Sequence, residues 1–247
     1  MTASPVITLW AVPRSRSTAF ERMMVERKDL EVVHEPFSYL CASGEFIVDS
    51  VRAVSLTGLL DLLLAKAARR RMFIKETTDY SYEPLLSDPR LYRRMTNTFL
   101  IRRPEDVVAS YYSLKPEMER DEVGFDRLYG IFRAVMAATG EPPVVVDADD
   151  LMRDPQAMVQ AYCHRVGLGF MPEPLRWGPS DRPEWRLTQR WHRDVTASTG
   201  FVDYRHTYPV RPDNNTWLAE VASYHRPFYE EMYAFRLAAA QTPVDTA

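Results

Sequence analysis

Cysteine is nearly absent from this 247-residue chain: Cys41 and Cys163 are the only two. That excludes a small secreted scaffold held by disulfides and makes a reducing cytoplasm the expected location. No apolar run approaches the ~20 residues that a membrane span needs. The first such run is short, lacks a basic leader and reads as a strand rather than a signal peptide. A surplus of positive charge is missing as well: the formal net charge of −3 points away from nucleic acid and anionic membranes as partners. There is no internal repeat, no low-complexity tract and no cluster with metal-ligand spacing, so no metal is expected. Lysine is scarce. Only Lys28, Lys66, Lys75 and Lys115 occur among 31 basic residues, so each one draws attention. The 46% hydrophobic and 26% charged residues are those of an ordinary globular enzyme.

Glycine is also absent from the place where it matters most. The opening apolar run, residues 6–12 (VITLWAV), breaks into Pro13-Arg14-Ser15-Arg16-Ser17-Thr18, and a helix carrying Phe20, Met23 and Met24 follows. A buried strand, a turn of basic and hydroxyl residues and a helix behind it make a phosphate cradle. The helix start is positive, and Ser17 and Thr18 add donors. A nucleoside triphosphatase carries GxxxxGK[ST] at this point. Arg14 stands here where a phosphate-neutralising cation is wanted, so the turn suits a phosphate but not the ATPase manner of holding it.

Further short apolar runs at 72–74, 98–101 and 144–146 read as buried parallel strands. Helical patterns lie between them, at 55–68, at 105–114 and from Asp154-Pro155 in N-cap/N1 order to a stop at Gly167. This alternation predicts an α/β fold with a parallel central sheet covered by helices on both faces. Four prolines between 171 and 183 read as a loop, and a C-terminal amphipathic helix is expected over about 215–239. The whole chain, 1–247, is expected to be one domain, with a core of about 5–170 and a loop-rich cap and C-terminal helix over about 171–240.

A second cluster, Arg102-Arg103-Pro104-Glu105-Asp106-Val107-Val108-Ala109-Ser110, sits where a strand meets a helix. Arg102 and Ser110 are placed to meet at the carboxyl edge of the sheet, where open α/β sheets bind ligands, and the pair suits a second phosphate. Together the two clusters resemble the sulfotransferase family that uses 3′-phosphoadenosine-5′-phosphosulfate (PAPS) and releases PAP, in its bacterial small-molecule form. Its first motif, P-[KR]-S-G-[ST]-T, is matched by residues 13–18. Its second, R-x-x-x-D-x-x-x-S-x-Y, is matched by Arg102, Asp106, Ser110 and Tyr112. A third stretch, VVVDADDL followed by Asp154-Pro155 and Val166-Gly167-Leu168, is similar to the family's V-x-Y-E-D-L…D-P…L-G-L, and residues 191–201 loosely resemble its nucleotide cap.

The resemblance implies a P-loop-like sulfotransferase fold and a PAPS site. Arg14, Ser15, Arg16, Ser17 and Thr18 would take the 5′-phosphosulfate end, and Arg102 and Ser110 the 3′-phosphate. Two departures stand out. Arg16 replaces the family's glycine, and in the segment FIKETTD, Lys75 fits the leaving-phosphate lysine while Thr77 replaces the histidine that serves as base. Glu35, in VVHEPF, is then the first candidate base, because bacterial carbohydrate sulfotransferases use a glutamate in a similar context. His34 is the second. Glu76, Asp79 and His192 are weaker candidates, and His164 reads as a core residue. The catalytic set is thus Lys75, Glu35, His34 and Arg14.

The implied reaction moves a sulfuryl group to a hydroxyl or amine of a small organic acceptor, in the style of secondary metabolism. The sulfate is either retained or used as a leaving group for elimination or ring closure. The acceptor is expected among the aromatics of 39–49, 80–88 and 171–201: Tyr39, Phe46, Tyr80, Tyr82, Trp177 and Trp185. Homo- and hetero-oligomers both remain open. The alternatives are a catalytically degenerate partner subunit of the same fold and, disfavoured by the missing Gly-Lys-Ser/Thr, a P-loop small-molecule kinase.

Overall fold

Strand β1, Val6–Ala11, is buried along its whole length and alternates its apolar side chains between two cores. Trp10 and Val6 enter one, Ile7, Leu9 and Ala11 the other. That period of two on a strand covered from both sides is the signature of a central parallel strand. In the computed structural model, which describes residues 4–179, 185, 191, 196–201 and 208–238, β1 is the middle of a five-stranded parallel sheet. Its order is β2-β5-β1-β6-β7, with β2 Glu31–His34, β5 Met72–Thr77, β6 Met95–Ile101 and β7 Val144–Asp147. A two-stranded hairpin, β3 Phe46–Val48 and β4 Val51–Ala53, stands apart from it. Asp49 and Ser50 at its tip both have positive φ (48° and 68°), as a tight hairpin turn requires.

The helices are α1 Ser17–Glu26, α2 Pro36–Ser43, α3 Leu56–Ala67, α4 Glu83–Leu86, α5 Pro89–Arg93 and α6 Pro104–Tyr112. They continue with α7 Phe125–Thr139, α8 Ala148–Arg153, α9 Pro155–Arg165 and α10 Thr216–Tyr233. Their starts follow the local chemistry. Ser55, Asp154 and Asn215 each accept a hydrogen bond from a first-turn N–H, and Pro155 fills the first helical position of α9. Helix α10 packs on α6 and α7, and beyond it the Leu237 N–H donates to the Val145 carbonyl, tying the C-terminal segment to the sheet. Among the described residues, no helix is long and apolar enough to cross a membrane.

The expected strands and parallel sheet are present, and the helices expected at 55–68, at 105–114 and from Asp154-Pro155 to Gly167 run over Leu56–Ala67, Pro104–Tyr112 and Pro155–Arg165. The run at 72–74 extends to Thr77, so Lys75 and Glu76 lie inside a fully buried strand rather than beyond its end. His164 is exposed on α9 and is not a core residue, because Tyr162 and Cys163 take the buried face.

Candidate active site

All five strands of the sheet run the same way, so the segments leaving β1, β2, β5 and β6 gather at one edge. The turn after β1 is tight: Arg14 and Arg16 both take left-handed backbone (φ 65° and 70°), and the buried Ser15 hydroxyl donates to the Val12 carbonyl at 2.8 Å. Left-handed backbone costs a side-chain-bearing residue about 1–2 kcal/mol. Arg16 bears that cost at the position where the resembling motif has glycine, and it is the N-cap of α1 without giving it a side-chain cap.

Three further arginine contacts close the cradle. Arg14 Nε donates to Ser110 Oγ at 3.0 Å and its Nη1 to the Trp191 carbonyl at 2.7 Å, while Arg102 Nη1 donates to the Arg14 carbonyl at 2.9 Å. The Trp191 ring rests on Tyr111 at 5.2 Å. Asp106 and Asp149 hold Arg103 at 2.9 and 3.0 Å, so among the described residues no carboxylate forms an ion pair with Arg102. Arg102 is nevertheless buried, and its Nε has no hydrogen-bond partner among the described residues. Burial, and then the nearby Arg16 charge, depress its pKa. Cations crowded at a helix N-terminus around an unsatisfied buried guanidinium N–H are an arrangement suited to an anion.

The second half of the site is a buried chain of charges. Lys75 on β5 points at Glu35, and their side chains form an ion pair. The Glu35 N–H also donates to the Lys75 carbonyl at 2.7 Å, which extends the β2–β5 ladder by one residue. Glu35 has φ 43° and is the N-cap of α2 without capping it. His34 Nε2 stands 3.7 Å from Glu35 Oε2, and His34 Nδ1 stands 2.8 Å from the Glu21 carboxylate on α1. Burial alone pushes Lys75 down, but Glu35 and Glu21 outweigh it and hold the ammonium above its usual range. His34 follows the same pattern: burial lowers it, Glu21 and Glu35 raise it further, and the net shift is upward.

Helix α2 takes its cap from another element. The Glu76 carboxylate on β5 accepts from the Phe37 N–H at 2.8 Å, the Ser38 N–H at 3.3 Å and the Ser38 hydroxyl at 2.6 Å. That arrangement leaves the Glu35 side chain to face Lys75. Thr77 Oγ1 donates to Asp79 at 2.8 Å and serves as a structural hydroxyl. Past β5 the chain is clamped at Gly124 (φ 75°), where a Cβ would come within 2.2 Å of the Thr78 carbonyl oxygen. Only glycine fits there.

Burial, with Glu35 nearby, pushes Glu76 up to about 8, so it is protonated at neutral pH. Between the ordinary 4.5 and about 8 the native state keeps a proton that the unfolded chain has lost. Stability therefore falls as pH rises through this window and levels off above it. Glu76→Gln keeps the accepting oxygen and is expected to flatten this slope, leaving the part that His34 contributes. Urea unfolding across the window checks it; a slope unchanged in the variant assigns the pH dependence elsewhere.

A family model described as a sulfotransferase domain matches residues 6–235. The chain belongs to the sulfotransferase domain family. Among solved structures, the mouse sulfotransferase SULT7A1 complexed with PAP has a TM-score of 0.51 at 11% identity, over 93% of this chain and 87% of that one, which shows a shared fold. The sulfotransferase domain from the curacin biosynthetic pathway matches 88% of this chain and 96% of its own, with 13% identity and a TM-score of 0.46. Two Arabidopsis thaliana relatives, branched-chain-amino-acid aminotransferase-like proteins 1 and 2, are 28% identical over 85% and 83% of this chain. The match to this chain covers only 39% and 38% of their lengths.

Within this sulfotransferase domain the residues singled out from sequence converge as two groups: Arg14, Arg102 and Ser110 at the turn, and His34, Glu35 and Lys75 beside it. Ser17 is buried at the start of α1, and Thr18 follows it in the first turn. Of the weaker bases, Glu76 is a helix cap, Asp79 is half-buried and accepts from Thr77 Oγ1, and His192 lies outside the described residues. Tyr82, Trp177 and Trp185 are core residues and so do not line an acceptor pocket. Tyr80 is exposed, and Tyr39 lies 5.8 Å from the His34 ring. Sequence reasoning missed Glu21. Its only signal was a carboxylate one turn into a helix whose neighbours Phe20, Met23 and Met24 are apolar.

Proposed function

We propose that this domain transfers a sulfuryl group from PAPS to a hydroxyl or amine of a small organic acceptor and releases PAP. One observation carries the reading: the buried Arg102, with an unpartnered Nε and no carboxylate partner among the described residues, beside Arg14, Arg16 and the start of α1. A dianionic phosphate in addition to the phosphosulfate fits that excess of positive charge, and the mouse enzyme of shared fold is complexed with PAP. The donor supplies a sulfuryl group on a good leaving phosphate. Transfer of this kind runs through a loose, in-line transition state, where positioning and charge stabilisation provide most of the rate.

The roles follow from position. Arg14, Ser15, Arg16, Ser17 and Thr18 hold the 5′ end, and Arg102 and Ser110 the 3′-phosphate. Lys75 neutralises charge that builds on the leaving phosphate oxygen. Glu35 takes the acceptor proton, with His34 next to it. The acceptor meets Tyr39 and the exposed Tyr80.

Calorimetry with PAP, AMP and ATP tests the reading: PAP is expected to bind in preference to both. Arg102→Ala is expected to weaken PAP binding by roughly 1.5–3 kcal/mol, the scale of a charge-assisted bond, and to leave AMP binding nearly unchanged. Equal losses for both nucleotides make Arg102 a support for the Arg14 carbonyl only.

A further inference from the structure

Glu21 has no part in the donor site, yet it is buried on α1 one turn behind the phosphate turn. Both its carboxylate oxygens lie at hydrogen-bond distance from one atom, His34 Nδ1, at 3.0 and 2.8 Å. A carboxylate only accepts, so Nδ1 carries the proton and donates, and in the neutral ring the lone pair is then on Nε2. Nε2 faces Glu35 Oε2 at 3.7 Å. The order is carboxylate, imidazole, carboxylate, with Lys75 closing the chain on the far side of Glu35. An acid fixed behind an imidazole sets its tautomer and raises its affinity for a proton.

We propose that Glu21 is a positioning residue of the transfer reaction, holding His34 with Nε2 turned to Glu35 so that His34 receives the proton that Glu35 removes from the acceptor. This rests on the sulfuryl-transfer reading above. In the balanced step the acceptor oxygen bonds to sulfur as the sulfur–oxygen bond to the donor phosphate breaks. The acceptor proton passes to Glu35, then from Glu35 Oε2 to His34 Nε2 once the two close to hydrogen-bond distance. Glu21 stays a carboxylate throughout, and the imidazolium returns its proton to water after the product leaves. The competent form has His34 neutral, so the acid limb of the pH–rate profile reports its titration.

The groups facing His34 are Glu21 from α1, Glu35 and the Tyr39 ring from the start of α2, and Lys75 from β5. The two carboxylates raise it and Lys75 opposes them. In Glu21→Gln the amide oxygen still accepts from Nδ1, but the charge is gone, so His34 should lose its proton at lower pH.

The test pairs imidazole ¹⁵N NMR titration with pH–rate profiles for the wild type, Glu21→Gln, His34→Asn and the double variant, all in the full chain. The expected result has three parts. The wild-type ring carries its proton on Nδ1. The Glu21→Gln plateau falls by about 10²-fold, and its acid limb moves to lower pH by the same amount as its His34 resonance. In the His34→Asn background, Glu21→Gln changes neither plateau nor limb. A plateau loss with an unmoved limb, or additive losses in the double variant, overturns the proposal and leaves Glu21 a packing residue. A wild-type ring protonated on Nε2 overturns it as well. Calorimetry of each variant with PAP separates this failure from that of the donor reading: wild type that does not bind PAP sinks the sulfuryl-transfer reading itself, and with it this role.

Discussion

Lys75→Met is expected to lower turnover by about 10²–10³-fold with little change in donor affinity, because the ammonium acts on charge that exists mainly in the transition state. The structure explains why a single charge is worth so much here. Lys75 lies in the middle of a buried strand, and Glu35 and Glu21 hold its pKa above the ordinary lysine range, so it is charged at neutral pH. It is also half of a buried ion pair, and removing one partner leaves an uncompensated charge that costs about 3–5 kcal/mol. Methionine keeps most of the volume, so the instability should come from Glu35 alone. The double variant Lys75→Met/Glu35→Gln is therefore expected to recover most of the stability and none of the turnover. Donor affinity lost with turnover intact would remove Lys75 from the catalytic set.

Much of the fold was legible because its signals are local. A fully apolar run in β1, the N-cap order Asp154-Pro155 and the αL stop at Gly167 each fix an element without help from elsewhere. The edge strand β2 and helix α7 were not picked out. In β2, EVVH, only four residues carry the pattern, and its last residue is a buried histidine whose partner, Glu21, is thirteen positions away. The extent of β5 was hidden for a related reason. Lys-Glu-Thr reads as the polar end of a strand until the partners that make it affordable to bury are seen: Glu35 for Lys75, and the α2 N–H groups for Glu76. The same holds for the acceptor side. An aromatic side chain looks alike in a sequence whether it packs or binds, and Tyr82, Trp177 and Trp185 pack. The phosphate turn was readable because its chemistry is carried by adjacent residues, whereas the charge chain Glu21–His34–Glu35–Lys75 is assembled from three separate segments.

Glu35→Gln is expected to spare PAP binding and to cut acceptor sulfation by about 10²–10⁴-fold. The substitution keeps the shape of the side chain and the backbone N–H bond to the Lys75 carbonyl, and removes the proton acceptor together with the charge that Lys75 faces. Glu35 is held in left-handed backbone at φ 43°, a conformation that costs a residue with a side chain about 1–3 kcal/mol. Such strain persists where surrounding contacts over-determine it. Here they are the β2–β5 ladder on one side and an α2 start capped by Glu76 on the other. The side chain is thereby presented to Lys75 instead of to its own helix. Because a more acidic acceptor needs less help in losing its proton, the loss should shrink when the hydroxyl acceptor is replaced by a phenol of low pKa. Steady-state kinetics on an acceptor series checks both points. A loss that stays constant across the series makes Glu35 a support for Lys75 rather than the base. Undiminished activity moves the role to His34. If neither Glu35→Gln nor His34→Asn affects transfer while PAP still binds, the domain is better read as a binding partner of the same fold.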